Sequence, residues 1–103
     1  MSYSKVWISV DQNTYKGCSW SSYSRKENCN YVIDFVSSFK SLSFPVGVYT
    51  NKEEWKHIIG DEKACQDAST NVDLWYYNYD GIPTMNDYKE FGGWDNPEIK
   101  QYL

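Results

Sequence analysis

Asp11 closes the run Val6-Trp7-Ile8-Ser9-Val10-Asp11, and the end of a strand is where parallel α/β enzymes place their chemistry. Read with a period of two, Trp7, Ser9 and Asp11 share one face, and Val6, Ile8 and Val10 share the other. A carboxyl group so placed can protonate the oxygen of a glycosidic bond, a reaction that works with a pair of carboxyl groups. Asp80 ends a second strand-like run, Val72 to Asp80, although Asp80-Gly81 also reads as a simple turn. Tyr49, Trp75, Tyr77, Tyr79 and Trp94 offer aromatic faces on which pyranose rings stack, and ordinary core filling accounts for at least half of them equally well.

Other chemistries find little support. Cys18, Cys29 and Cys65 form no Cys-x-x-Cys pair and the single histidine, His57, stands apart from them, so no metal site and no cofactor is expected. His57 reads as part of a solvated helix face rather than as a base. A bridge from Cys18 to Cys29 across the loop before the first helix and free thiols in a reducing compartment both stay open. The net charge of -4 without a local run of Lys or Arg argues against nucleic acid. No apolar run approaches the roughly 20 residues of a membrane span, and the opening Met1 to Lys5 does not read as a signal sequence.

The elements that must hold these residues follow from spacing. With 103 residues, 41% of them hydrophobic, the chain suits one small domain and falls short of the ~250 residues of a closed eight-stranded α/β barrel. A Gly- and Ser-rich loop follows Asp11. Ser24-Arg25-Lys26-Glu27 has capping-box spacing, and Val32, Phe35, Val36, Phe39 and Leu42 recur at helical intervals. Pro45 to Tyr49 predicts a strand, and Thr50-Asn51-Lys52-Glu53 predicts the cap of a second helix carrying Trp55, Ile58 and Ile59 and ending at Gly60. After the aromatic strand Val72 to Asp80 comes a long loop, with one helical turn expected around Asn86 to Glu90, and then a last strand from Ile99 to Leu103. Strands alternating with helices imply parallel pairing through right-handed crossovers.

Four segments, in this order, resemble the glycoside hydrolase family 25 lysozymes, in particular their eukaryotic lysozyme-like branch. They are Val6 to Asp11; Gly47-Val48-Tyr49-Thr50 with Glu54-Trp55 and Ile58-Ile59-Gly60; Leu74 to Asp80; and Phe91-Gly92-Gly93-Trp94 with Pro97 and Ile99 to Tyr102. Together they cover nearly the whole chain. The resemblance implies an α/β fold in the form of a partial (half) α/β barrel, about four parallel strands and two main helices in one domain over residues 1–103, matching the second half of the family's barrel. It implies peptidoglycan or a related glycan as partner, cleavage after muramic acid as the reaction, and a secreted or lysosomal setting.

At the paired-acid motif the family's usual Asp aligns with Ser9 and its catalytic Glu with Asp11. Asp11 is thus the residue in the general-acid position and Ser9 takes the place of the paired Asp. The substrate-lining positions implied are Tyr49, Trp75, Tyr77, Tyr79, Asp80 and Trp94. Where Tyr77 and Asn78 stand, the family often carries Ala and His. Shortening Glu to Asp retracts the carboxyl by about 1 Å, and a displacement of that size costs around a hundredfold in rate. Ser9 cannot supply the neighbouring charge. Two of the family's four acidic positions have no counterpart in the sequence. The expected activity of the chain alone is therefore weak or nil, and the alternative is a non-catalytic, secreted signalling protein that binds glycan or protein. Half a barrel would also leave two open sheet edges, through which a homodimer could form.

Overall fold

The computed structural model describes residues 5–11, 20–60 and 65–103. Within them the order is β1 (Val6–Ser9), α1 (Arg25–Ser41), β2 (Val46–Thr50), α2 (Lys52–Ile58), β3 (Asp73–Tyr77) and β4 (Ile99–Gln101), with short 3₁₀ turns at Trp20–Ser22 and Gln66–Ala68. The four strands form one sheet in the order β1-β2-β3-β4, and every neighbouring pair is parallel. This is the α/β arrangement expected from the alternation of strands and helices.

Local chemistry accounts for where the helices start. The Ser24 hydroxyl accepts from Glu27 N, and the Glu27 carboxylate accepts from Ser24 N, each at 3.1 Å, so the capping box closes in both directions. The second helix begins one residue later than its spacing suggests. Thr50 is fully buried and its hydroxyl donates to Val10 O at 2.7 Å, which leaves Asn51 to cap α2 by accepting from Glu54 N at 2.8 Å.

Both helices pack on the same side of the sheet. Ile8, Val10, Val46, Val48, Leu74 and Tyr76 point to that side and form one core with Val32 and Val36 of α1 and Trp55 and Ile58 of α2. Phe35 and Phe39 flank this core, whereas Leu42, expected in the apolar stripe, serves as the exposed C-cap of α1. Asn28 is buried between the helices, and its amide donates to Trp20 O and Ile58 O at 3.1 and 3.0 Å. Satisfying a buried amide with two carbonyls fixes how α1 lies against the end of α2.

Cys29 and Cys65 form a disulfide, so Cys29 is not bridged to Cys18, which lies outside the described residues. The reason is tertiary: the connector after α2 returns to the start of α1, bringing the two Cα atoms within 5.7 Å. The helical turn expected between Asn86 and Glu90 is a non-helical turn closed by Tyr88 N donating to Met85 O at 3.0 Å.

Candidate functional site

The sheet face away from the helices is built in rows by the strand register. Trp7, Gly47 and Asp73 align in one row, and Ser9, Tyr49, Trp75 and Ile99 in the next. Tyr77 and Gln101 align in the third, toward the C-terminal ends of the strands, where Asp11 follows β1. Gly47 is required by this packing, because a Cβ there would lie 2.3 Å from the Trp7 ring. The indole of Trp7 thus crosses β2 and meets Trp75 edge-on at 5.5 Å between ring centroids. Lys5 pairs with Asp73 at the opposite end of the strands.

Toward the C-terminal end the tyrosines take over. Tyr49 stacks on Tyr77 at 5.0 Å and Tyr77 on Tyr79 at 5.5 Å, with interplanar angles of 28° and 25°. Tyr49 also meets Trp75 edge-on at 4.8 Å. The Tyr77 hydroxyl donates to Asp11 Oδ2 at 2.5 Å, and the Tyr49 hydroxyl donates to Gln101 Oε1 at 2.5 Å and lies 3.4 Å from that of Tyr79. Desolvation first, then the hydrogen bond to Asp11, pushes the Tyr77 phenol well above the ordinary tyrosine range. Desolvation followed by the contact with Tyr79 does the same for Tyr49. Both therefore stay neutral and act as donors at physiological pH. Tyr79 is the most exposed of the three at 60%.

Asp11, Ser9, Tyr49, Trp75, Tyr77 and Tyr79 are thus gathered on one face. Trp94 and Asp80 are placed elsewhere. Trp94 is buried on the helix side, its ring edge-on to Trp55 at 4.8 Å and its Nε1 donating to Val72 O at 2.8 Å. Its position follows from the turn before it, where Gly92 and Gly93 have φ of 60° and 91° and a Cβ at Gly92 would strike both Trp55 and Trp94.

Asp80 belongs to a charged cluster organised by Lys100. In β4, Ile99 and Gln101 face the aromatic side, so Lys100 points the other way, with its side chain 2% exposed. Its Nζ donates to both oxygens of Asp80 at 3.1 Å, to Asp87 Oδ1 at 2.7 Å, and to the carbonyls of Ile82 and Thr84 at 2.8 and 2.9 Å. Asp80 also accepts from Ile82 N at 2.9 Å, the turn interaction that Asp-Gly suggested. That backbone bond and Lys100 hold its carboxyl below the usual range. Burial works against the charge of Asp87, but hydrogen bonds from Asn78, Lys100 and Tyr76 prevail and hold it at about 2. The role of Lys100 in pinning the loop after β3 was not visible in the sequence, where an isolated lysine in a strand carries no mark of its partners.

Beside this cluster a cavity of about 220 Å³ opens beyond the ends of β2 and β3, lined by Asn51, Glu53, Tyr77, Asn78, Asp87 and Tyr88 among others. It lies below the ~300 Å³ of enclosed small-molecule pockets, and Tyr77 connects it to the aromatic face. Chemically, the face offers stacking surface, hydroxyl and amide groups, and the Asp11 carboxylate at its upper end.

Residues 1–102 match the family model described as Lysozyme-like protein 1. Among curated proteins, the chain is 36% identical to Counting factor 45-1 of Dictyostelium discoideum, over 99% of this chain and 32% of that protein. It is 33% identical to Probable GH family 25 lysozyme 2 of the same organism, over 97% of this chain and 42% of that one. Lysozyme-like protein 5 of Caenorhabditis elegans is 28% identical over 96% of this chain and 42% of its own length. The chain thus spans between about a third and two fifths of these relatives. No solved structure matches it.

Proposed function

The chain belongs to the lysozyme-like family described as Lysozyme-like protein 1, and from that membership we propose that its aromatic sheet face is a lysozyme-type cleft for peptidoglycan or a related glycan. In this reading the sheet is half of an α/β barrel, Asp11 occupies the general-acid position, and Tyr49, Trp75, Tyr77 and Tyr79 stack against sugar rings. The observation that carries it is the convergence of Asp11, Ser9 and the tyrosine stack on one sheet face, at the C-terminal ends of parallel strands.

The same observation favours binding with little or no turnover by the chain alone. The Tyr77 hydroxyl engages Asp11 Oδ2, and the Asp side chain holds its carboxyl about 1 Å short of the reach of a Glu, a displacement that costs around a hundredfold in rate. Ser9 stands where a second carboxylate would assist. The identity to Counting factor 45-1 favours, as the second reading, a secreted lysozyme-like signalling role in which the face serves recognition.

Calorimetric titration with peptidoglycan fragments and chitin oligomers tests the reading. Saturable binding is expected, weakened about 3- to 10-fold by Tyr79→Ala, the loss of one aromatic contact. A folded chain that binds neither glycan overturns it. Clearing of a cell-wall suspension at a rate comparable to an active lysozyme would overturn the low-turnover part alone.

A further inference from the structure

We propose that Lys100 is a positioning residue for the aromatic face: by clamping Asp80 on the helix side of the sheet, it holds the neighbouring Tyr79 in the tyrosine stack and thereby sets glycan affinity. The effect on affinity rests on the glycan-cleft reading above, whereas the placement of Tyr79 stands on geometry alone.

The end of the ladder between β3 and β4 shows why Tyr79 needs a clamp. Asn78 N donates to Gln101 O and Gly81 N to Tyr102 O, each at 3.0 Å, so three steps along one chain meet a single step along the other. A regular parallel ladder advances evenly on both sides. Tyr79 and Asp80 are therefore extruded between the two bonds, as in a bulge, which re-aims side chains and leaves its residues without ladder partners. The backbone tightens there, with Asp80 N donating back to Asn78 O at 2.8 Å.

The ring of Tyr79 does little to fix its own position. Its hydroxyl lies 3.4 Å from that of Tyr49, beyond the ~2.5–3.0 Å of a good O–H···O bond. It stacks on Tyr77 at 5.5 Å. The stronger restraint sits on the next residue. Both oxygens of Asp80 accept from the ammonium of Lys100, whose side chain is buried, and charge-assisted bonds are roughly twice as strong as neutral ones. The turn bond from Ile82 N closes the loop locally, but it is Lys100 that ties the Asp80 side chain to the sheet. The same ammonium gathers the carbonyls of Ile82 and Thr84 and the carboxylate of Asp87, so the chain downstream is seated with it. With Asp80 drawn to the helix side, Tyr79 projects to the other, where Tyr77 and Tyr49 receive it.

The first test needs no glycan. In the NMR spectrum of the full chain, the Tyr79 ring protons are expected to carry the ring-current shift of stacking on Tyr77. Lys100→Met should move them toward free-tyrosine positions while the Trp55 and Trp94 signals of the core stay in place. Asp80→Ala, on a partly exposed loop position that leaves Lys100 its other acceptors, should do the same and serves if Lys100→Met does not fold. The second test is calorimetric titration with peptidoglycan fragments and chitin oligomers. Lys100→Met is expected to weaken binding about 3- to 10-fold, as Tyr79→Ala does, and to add nothing in a chain that already carries Tyr79→Ala. Tyr79 signals unmoved in the folded variants overturn the proposal, as do equal losses of affinity from Lys100→Met with and without Tyr79. A parent chain that binds neither glycan overturns the affinity part together with the cleft reading, and the NMR result still decides the placement.

Discussion

The Tyr77 hydroxyl reaches across β2 to Asp11, joining the end of β3 to the end of β1 through a hydrogen bond of 2.5 Å. It makes the acid position and the tyrosine stack one unit, so a change in either is felt in the other.

Tyr77→Phe keeps the ring and removes the donor. It is expected to lower stability by about 1 kcal/mol, in the range for one hydrogen bond, with the ring stacking on Tyr49 and Tyr79 retained. Urea denaturation measures the loss, and an unchanged midpoint would show that the bond contributes nothing in solution.

Gly47→Ala places a methyl group inside the Trp7 indole. Overpacking of this kind costs about 1–3 kcal/mol. The double variant with Trp7→Ala is expected to remove most of the additional penalty, because the obstructing ring is gone. A double-mutant cycle reads the coupling, and additive effects would mean that Trp7 lies elsewhere.

Much of the frame was legible because it is set by local rules. The capping box at Ser24, the alternation in Val6 to Asp11 and the glycine after α2 act within a few residues of themselves. Thr50 misled the position of the second cap because its hydroxyl answers to Val10, forty residues away in sequence. Trp94 and Lys100 were opaque for the same reason. An indole reads alike whether it packs on Trp55 or on a sugar, and a lysine shows its acceptors only after the loop from Asp80 to Asp87 has folded over it.

Acid is expected to release that loop. Asp87 is held at about 2 in the fold, below the ordinary carboxylate value near ~4. Its contribution to stability is therefore complete above ~4 and drains away as pH falls toward 2. Thermal unfolding followed from pH 7 downward should show a loss in that window that is smaller in Asp87→Asn, whose midpoint at pH 7 is already lower. Equal acid sensitivity in both would remove Asp87 from the account.

The disulfide joins cysteines 36 positions apart in sequence, and the loop it closes contains β2 and α2. Chain-entropy arguments for a loop of that size give about 3–4 kcal/mol. Cys29→Ser with Cys65→Ser is expected to lose stability of that order, and reduction of the parent chain should reproduce it. A loss well under 1 kcal/mol by either route would contradict the pairing.

Four of the five tryptophans form two near-perpendicular pairs, Trp7 with Trp75 on the open face at 73° and Trp55 with Trp94 in the core at 74°. Indoles so close and so crossed couple their electronic transitions, and each pair senses a different side of the strands. The molecule thereby carries two built-in optical reporters. The core pair follows the integrity of the fold, and the other responds to whatever comes to rest against the open face.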